Sequence, residues 1–89
     1  MGYSRYKTVM NRAPITLYTT SACTYSRMTK RFLEQHGIPY VEYDVIGNDA
    51  ARAAMVAKSS QVGVPVIEVD GEIFVGFDER ELRRALDLA

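Results

Sequence analysis

A strand-like segment, a helix-like segment and a second strand-like segment follow one another early in the chain, and this order constrains the fold most strongly. Residues 15–19 are β-branched and aromatic, which is typical of a short buried strand. Residues 40–45 predict the second strand. Between them, residues 23–36 predict a helix, because apolar side chains recur at three- and four-residue steps: Tyr25, Met28, Phe32 and Leu33. Two strands joined through a helix are expected to lie parallel, since their connection crosses over the sheet.

The second half of the chain predicts a hairpin. Asp70-Gly71 separates two β-branched segments, residues 62–69 and 72–75, and this dipeptide is typical of a two-residue hairpin turn. A helix is expected before the hairpin, from residue 50 to about 58, and another after it, up to about residue 88. Candidate caps precede the three helices: Ser21 or Ala22, Asn48 or Asp49, and Asp78. The order β-α-β-α-β-β-α predicts an α/β fold with one four-stranded mixed sheet flanked by three helices.

Length and charge exclude several classes of protein. The chain has 89 residues, which is enough for one small domain. Its 11 basic and 11 acidic side chains balance, which removes the electrostatic case for binding nucleic acid or an anionic membrane. No apolar run is long enough to span a bilayer. We expect a cytoplasmic monomer with one domain over residues 14–89, preceded by an N-terminal extension at residues 1–13.

Cys23 is the single cysteine, so an intramolecular disulfide and a one-chain zinc–thiolate cluster are excluded. It stands at the predicted start of the first helix, where free backbone N–H groups and the helix dipole favour a thiolate. The small polar neighbours Thr24 and Ser26 indicate a solvent-facing loop, which favours a reactive thiol over an inert buried one. His36 is the only histidine and ends the same helix, which argues against a Cys-His hydrolase.

Three further motifs have alternative interpretations from the residues themselves. Pro65 opens a predicted strand, and a trans bond is expected because only about 5–6% of X–Pro bonds are cis. Gly76-Phe77-Asp78 is either a loop that ends in a helix cap or a turn whose N–H groups hold a small anion. Tyr25 either flanks a bound substrate or packs half-buried.

Taken together and in this order, the motifs resemble those of the glutaredoxins, thiol–disulfide oxidoreductases with a thioredoxin-like fold. The resemblance covers residue 15 to about residue 88 and rests on four pieces: Cys23-Thr24-Tyr25-Ser26, Gly63-Val64-Pro65, Asp70-Gly71 and Gly76-Phe77-Asp78. It implies that Cys23 is the nucleophile and Tyr25 the aromatic beside it. It also implies a cis Pro65 facing Cys23, with the Val64 backbone offered to glutathione or a peptide in β-like pairing. Gly76, Phe77 and Asp78 match the family's site for the γ-glutamyl end of glutathione.

The chain departs from the family pattern at three places. Ser26 stands at the resolving position, where many members have a second cysteine, so this chain cannot carry out an intramolecular dithiol cycle. Thr20 replaces a lysine, and Val62-Gly63 replaces a basic residue followed by threonine. Since those family positions help to hold the glycyl carboxylate, a weaker affinity for glutathione is expected. Arg27 and Lys58 are candidate substitutes.

The first hypothesis for function is a monothiol oxidoreductase of glutaredoxin type. The Cys23 thiolate forms a mixed disulfide with glutathione or with a protein thiol, and glutathione serves as co-substrate. The expected partners are glutathione and disulfide-containing or glutathionylated proteins. No metal is expected at the site unless a bridging cluster forms.

Two alternatives follow from the same residues. One is an iron–sulfur carrier, in which two chains each supply Cys23 and two glutathiones complete a [2Fe–2S] cluster. The other is that Ser26 is an engineered replacement of a resolving cysteine. The parent would then be a dithiol enzyme, reduced by glutathione or by a thioredoxin reductase. Comparing codon 26 of the encoding gene with this sequence decides that question.

Overall fold

The computed structural model of the chain describes residues 14–88. The order of its elements confirms the predicted β-α-β-α-β-β-α arrangement, and the N-terminal extension expected at residues 1–13 lies outside the described residues. The elements are β1 (Ile15–Thr19), α1 (Thr24–Gln35), β2 (Tyr40–Asp44), α2 (Asp49–Ser59), β3 (Val66–Val69), β4 (Glu72–Val75) and α3 (Glu79–Ala85). None of the helices within residues 14–88 is long and apolar enough to cross a membrane.

The four strands form one mixed sheet in the order β2-β1-β3-β4. β1 pairs in parallel with β2 and antiparallel with β3, and β3 pairs antiparallel with β4. The parallel pair and the hairpin are both as predicted. Asp70 and Gly71 have φ values of 51° and 87°, and this pair of positive angles is what a two-residue type I′ hairpin turn needs.

β1 is buried on both of its faces, which makes it the centre of the domain. Ile15 and Leu17 belong to a core cluster with α1 and α3, whereas Tyr18 belongs to a second cluster with Met55 of α2. Because side chains alternate along a strand, the two clusters lie on opposite faces of the sheet. The carboxyl end of β1 is therefore held from both sides, and the segment that follows it carries Cys23.

The buried face of α1 differs from the predicted one. Tyr25 and Met28 are 58% and 41% exposed. The buried side chains are those of Ser26, Thr29, Phe32 and Leu33. The predicted stripe was wrong in its first half, because the helix turns the polar residues at 26 and 29 toward the interior of the domain. Only the second half of α1 supplies apolar side chains to the core.

The helix boundaries also refine the prediction. α1 begins later than expected, since Cys23 rather than Ser21 or Ala22 occupies the N-cap position. Of the two candidates before α2, Asn48 is the cap, and its side chain accepts a hydrogen bond from the Ala51 N–H at 3.0 Å. α3 ends at Ala85 rather than near residue 88, because the chain turns into a left-handed conformation two residues later.

Candidate active site

Cys23 lies where the loop after β1 enters α1. Its N–H donates to the Thr20 carbonyl at 3.2 Å, and its own carbonyl accepts the first helical hydrogen bond from the Arg27 N–H at 3.2 Å. Its backbone is extended, with φ −88° and ψ 122°, as is usual for an N-cap residue. The half-buried thiol therefore stands at the positive end of α1, where the unpaired N–H groups of the first turn collect.

The peptide bond between Val64 and Pro65 is cis and lies opposite the thiol. The Cys23 Sγ donates to the Val64 carbonyl oxygen at 3.8 Å, a long contact between residues 41 positions apart. The cis isomer agrees with the family resemblance, and the trans bond expected from the residues themselves is wrong. Pro65 itself is fully buried.

Gly76 connects the end of the hairpin to the same place. Its N–H donates to the Pro65 carbonyl at 2.8 Å, so the loop after β4 is tied to the residue that faces Cys23. Gly76 has φ 83°, a conformation that side chains with a Cβ rarely adopt. The chain reversal that brings this loop to the thiol therefore depends on glycine.

Phe77 and Asp78 follow Gly76 and have different surroundings. The Phe77 ring makes an edge contact with Phe32 of α1, with ring centroids 5.8 Å apart, and so packs against the core. Asp78 is exposed, and its carboxylate accepts from the Glu81 N–H at 3.3 Å as the N-cap of α3. The structure thus shows the predicted cap, and the role of both residues in holding glutathione stays a prediction.

The surroundings of Cys23 lower the pKa of its thiol. The largest cause is hydrogen bonding from the backbone N–H of Ser26, which favours the thiolate over the thiol. The Ser26 hydroxyl, the Tyr25 N–H and the charge of Arg27 act in the same direction, while partial burial opposes them. A thiolate at a helix N-terminus is the nucleophilic form of cysteine.

Ser26 is the predicted site residue whose surroundings differ most from expectation. We predicted a solvent-facing position, but its side chain is fully buried. The helical spacing of residues 26, 29 and 33 contains the signal that was missed, since these three positions share one face of α1 with the core. Tyr25, in contrast, is exposed beside the thiol, so the half-buried packing considered for it is not found.

The two basic residues considered as substitutes for the family's carboxylate-binding residues lie in different places. Arg27 donates to the Ser21 carbonyl at 2.9 Å, which holds the guanidinium beside the active-site loop. Lys58 donates to Glu68 at 2.7 Å and to the Tyr18 hydroxyl at 3.2 Å. Its charge is thus already paired, and Arg27 is the better placed of the two. His36 lies at the opposite end of α1 as its C-cap, packed on Phe32.

Comparisons with known proteins agree with this arrangement. A family model described as glutaredoxin matches residues 15–75. An uncharacterized glutaredoxin-like protein from the rubredoxin operon of Clostridium pasteurianum is 36% identical over 73 residues, covering 82% of this chain and 97% of that protein. Glutaredoxin 3 of Escherichia coli K12 is 31% identical over 67 residues, covering 75% and 81%. The crystal structure of the thioredoxin-like protein BC3987 has a TM-score of 0.76 and 30% identity, covering 80% and 97%.

These similarities establish the fold and the family, which the motifs by themselves only indicated. The structural match shows that the fold is thioredoxin-like, as predicted. The family match takes in Cys23 and the cis Pro65. Fold and family together support a function of the thiol–disulfide oxidoreductase type. The chain belongs to the glutaredoxin family.

Proposed function

We propose that this protein is a monothiol glutaredoxin that removes glutathione from mixed disulfides with proteins. One observation carries the proposal: the Cys23 Sγ lies at the N-terminus of α1, 3.8 Å from the carbonyl of Val64, the residue before the cis proline. A lowered pKa and access are what attack on a disulfide needs, and no separate base or metal is required. The half-buried thiol of Cys23 meets both conditions.

The first step transfers glutathione to the enzyme. The Cys23 thiolate attacks the glutathione sulfur of the mixed disulfide, and a new sulfur–sulfur bond forms as the old one breaks. The substrate protein leaves as a thiolate and takes a proton from water. No electrons are supplied from outside in this step, since one disulfide is exchanged for another.

The second step regenerates the enzyme. The thiolate of a second glutathione attacks the glutathione sulfur bound to Cys23, so that oxidised glutathione forms and Cys23 leaves as a thiolate. Each turnover thus consumes one glutathione from solution, and the other half of the oxidised glutathione comes from the mixed disulfide. Ser26 has no sulfur with which to compete for the intermediate, so the cycle needs glutathione from solution.

Binding of glutathione is assigned to the groups around the thiol. The backbone of Val64 pairs with the extended cysteinyl part, as a peptide pairs with the edge of a strand. Gly76, Phe77 and Asp78 hold the γ-glutamyl end, and Tyr25 lies alongside. Arg27, held next to the active-site loop, supplies positive charge for the glycyl carboxylate.

The test is reduction of a glutathionylated model protein, with glutathione, glutathione reductase and NADPH as the source of electrons. Wild-type protein should turn over, and Cys23→Ser should be inactive while keeping its fold. Activity that survives in Cys23→Ser would contradict the proposal. So would turnover supported by a thioredoxin reductase and not by glutathione, which would instead favour descent from a dithiol enzyme with Ser26 as the replacement.

The remaining sequence-based hypotheses are kept as predictions. Anaerobic reconstitution with iron, sulfide and glutathione tests the [2Fe–2S] carrier, whose signature is a coloured dimer. A colourless monomer after reconstitution would exclude it. A monomeric state and a cytoplasmic location belong to the proposal, and gel filtration and cell fractionation test them.

A further inference from the structure

We propose that Glu42 of β2 positions Cys23 for attack, because its carboxylate holds both ends of the chain segment that carries the thiol. One end is Thr19, the last residue of β1, and the other is Lys30, in the middle of α1. Glu42 is a positioning residue and not a catalytic one, since it acts through these two side chains. The inference rests on the proposed function, because it concerns the same sulfur.

The first observation is that one carboxylate oxygen has two partners. The Thr19 hydroxyl donates to the Glu42 Oε2 at 2.7 Å, and the Lys30 Nζ lies 3.1 Å from the same oxygen. Thr19 is 1% exposed, so its hydroxyl depends on this acceptor inside the domain. The ion pair is itself partly buried, and hydrogen bonds to a charged acceptor are stronger than those between neutral groups. The carboxylate therefore fixes the end of β1 and the middle of α1 relative to each other.

The second observation is that apolar packing holds only the far half of α1. The buried side chains in its first two turns are those of Ser26 and Thr29, which are polar. Apolar contact with the core begins at Phe32. Because the hydrophobic free energy scales with the apolar area buried, small polar side chains add little to the packing of the near half. The ion pair of Lys30 with β2 therefore holds the half of the helix that the core does not.

The third observation is the short path from the two held ends to the thiol. The Thr19 carbonyl accepts from the Val45 N–H at 2.9 Å, which fixes the end of β1. The Cys23 N–H donates to the Thr20 carbonyl at 3.2 Å, so the loop between the strand and the helix is one tight turn. On the other side, seven residues of helix separate Cys23 from Lys30, a length of ~10 Å. A shift of either end is therefore transmitted to the sulfur.

The position of the sulfur matters because its counterpart is placed independently. The Val64 carbonyl precedes β3, which pairs with β1 on the side opposite β2. A misplacement of about 1 Å between reacting groups can cost about a hundredfold in rate. Glu42 is not among the causes of the lowered pKa of Cys23, whereas the charge of Arg27 is. We therefore expect Glu42 to affect disulfide exchange with a bound substrate and to leave the intrinsic reactivity of the thiolate unchanged.

The first experiment measures turnover of a glutathionylated model protein. Glu42→Ala should lower kcat/KM about tenfold, and Glu42→Gln, which keeps an oxygen able to accept from both partners, should stay within about threefold of the wild type. Tyr40→Phe is the matched control: it removes a hydrogen bond from β2 to Glu34, one turn further from Cys23, and should leave kcat/KM unchanged. Wild-type turnover in Glu42→Ala would overturn the proposal. So would equal losses in Glu42→Ala and in either of the other two variants.

Alkylation by iodoacetamide separates the position of the thiol from its chemistry. Because the chain has one cysteine, the rate reports Cys23 without interference. This small reagent needs no bound orientation, so Glu42→Ala should keep both the rate and the pH midpoint of the wild type. A shifted midpoint would mean that Glu42 acts on the pKa of the thiol and would overturn the proposal.

A second variant tests whether the effect passes through Lys30. Lys30→Met keeps the long apolar stem and should lower kcat/KM about threefold in the wild type, but it should cause no further loss in Glu42→Ala. The same loss in both backgrounds would overturn the proposal. If Glu42→Ala does not fold, Lys30→Met alone still decides, because an unchanged kcat/KM in that variant contradicts the inference.

Amide hydrogen exchange supplies a readout that needs no glutathione. The N–H groups of Cys23 and Arg27, which both bond within the first turn, should exchange about tenfold faster in Glu42→Ala and at the wild-type rate in Tyr40→Phe. Unchanged exchange in Glu42→Ala would refute this inference and leave the proposed function intact. Faster exchange in a protein whose wild type shows no glutathione-dependent turnover would refute the proposed function and retain the role of Glu42 in holding the thiol.

Discussion

Replacing Gly76 by alanine tests how the loop after the hairpin is held at the active site. Gly76 has φ 83°, and a Cβ added there would meet no atom within 4 Å. The cost therefore comes from the backbone conformation and not from a clash, and it amounts to about 1–2 kcal/mol for a residue with a Cβ in the left-handed region. Alanine keeps the N–H that donates to the Pro65 carbonyl, so no hydrogen bond is removed.

Gly63 provides the matched control, because it lies just before the Val64–Pro65 bond. A Cβ there would also meet no atom within 4 Å, but Gly63 lies outside the left-handed region. Alanine at such a position stabilises a protein by about 0.4–1 kcal/mol, since the unfolded chain loses freedom. Gly63→Ala and Gly76→Ala should therefore change the free energy of unfolding in opposite directions.

Urea denaturation followed by circular dichroism measures both variants. With a slope of about 1 kcal/mol per molar urea, typical of a small domain, Gly76→Ala should lower the midpoint by about 1–2 M. Gly63→Ala should leave it unchanged or raise it. Equal midpoints in the two variants would refute the reasoning, because they differ in backbone conformation and not in the space around the new methyl group.

Two further predictions concern charge. Arg27→Gln should raise the KM for a glutathionylated substrate about two- to fivefold with little change in kcat, which is the size of effect expected for an exposed ion pair. Arg31→Gln, one turn further along α1, is the control. An unchanged KM, or the same change in both variants, would contradict the assignment of Arg27. The Tyr40 hydroxyl donates to the Glu34 carboxylate at 2.6 Å, which raises the pKa of Tyr40 to about 12. This stabilisation is complete below pH ~10, the ordinary tyrosine value, and is lost as the pH rises toward 12. Tyr40→Phe should therefore lose less unfolding free energy than the wild type between pH 10 and 12, measured by urea denaturation, and equal losses would refute the prediction.

Much of the fold was predictable because its signals are local. The β-branched and aromatic residues of β1, the Asp70-Gly71 turn and the caps at Asn48 and Asp78 are signals that depend only on neighbouring residues. Such signals predict which elements form and in what order. They also placed Cys23 at the beginning of a helix, although the prediction began the helix one or two residues too early.

The candidate site was predictable only in part. The family resemblance named Pro65 and Gly76 and implied the cis bond, whereas the residues themselves favoured trans. The hydrogen bond between these two residues joins positions 11 apart in the chain, at the two ends of the hairpin of β3 and β4. The exposure of Tyr25 was open from the sequence, because its apolar ring fits a buried face as well as a substrate site.

By itself the sequence determined the elements, their order and the chemistry of a single sulfur at a helix N-terminus, since propensities, turns and caps act over a few residues. The tertiary structure decided what that sulfur meets. It set the Val64 carbonyl, 41 residues away, within 3.8 Å of the Cys23 Sγ, and it buried the Ser26 side chain. The physical reason is that burial and long-range hydrogen bonding depend on how α1 rotates against the sheet. That rotation is chosen by the packing of the whole core around β1.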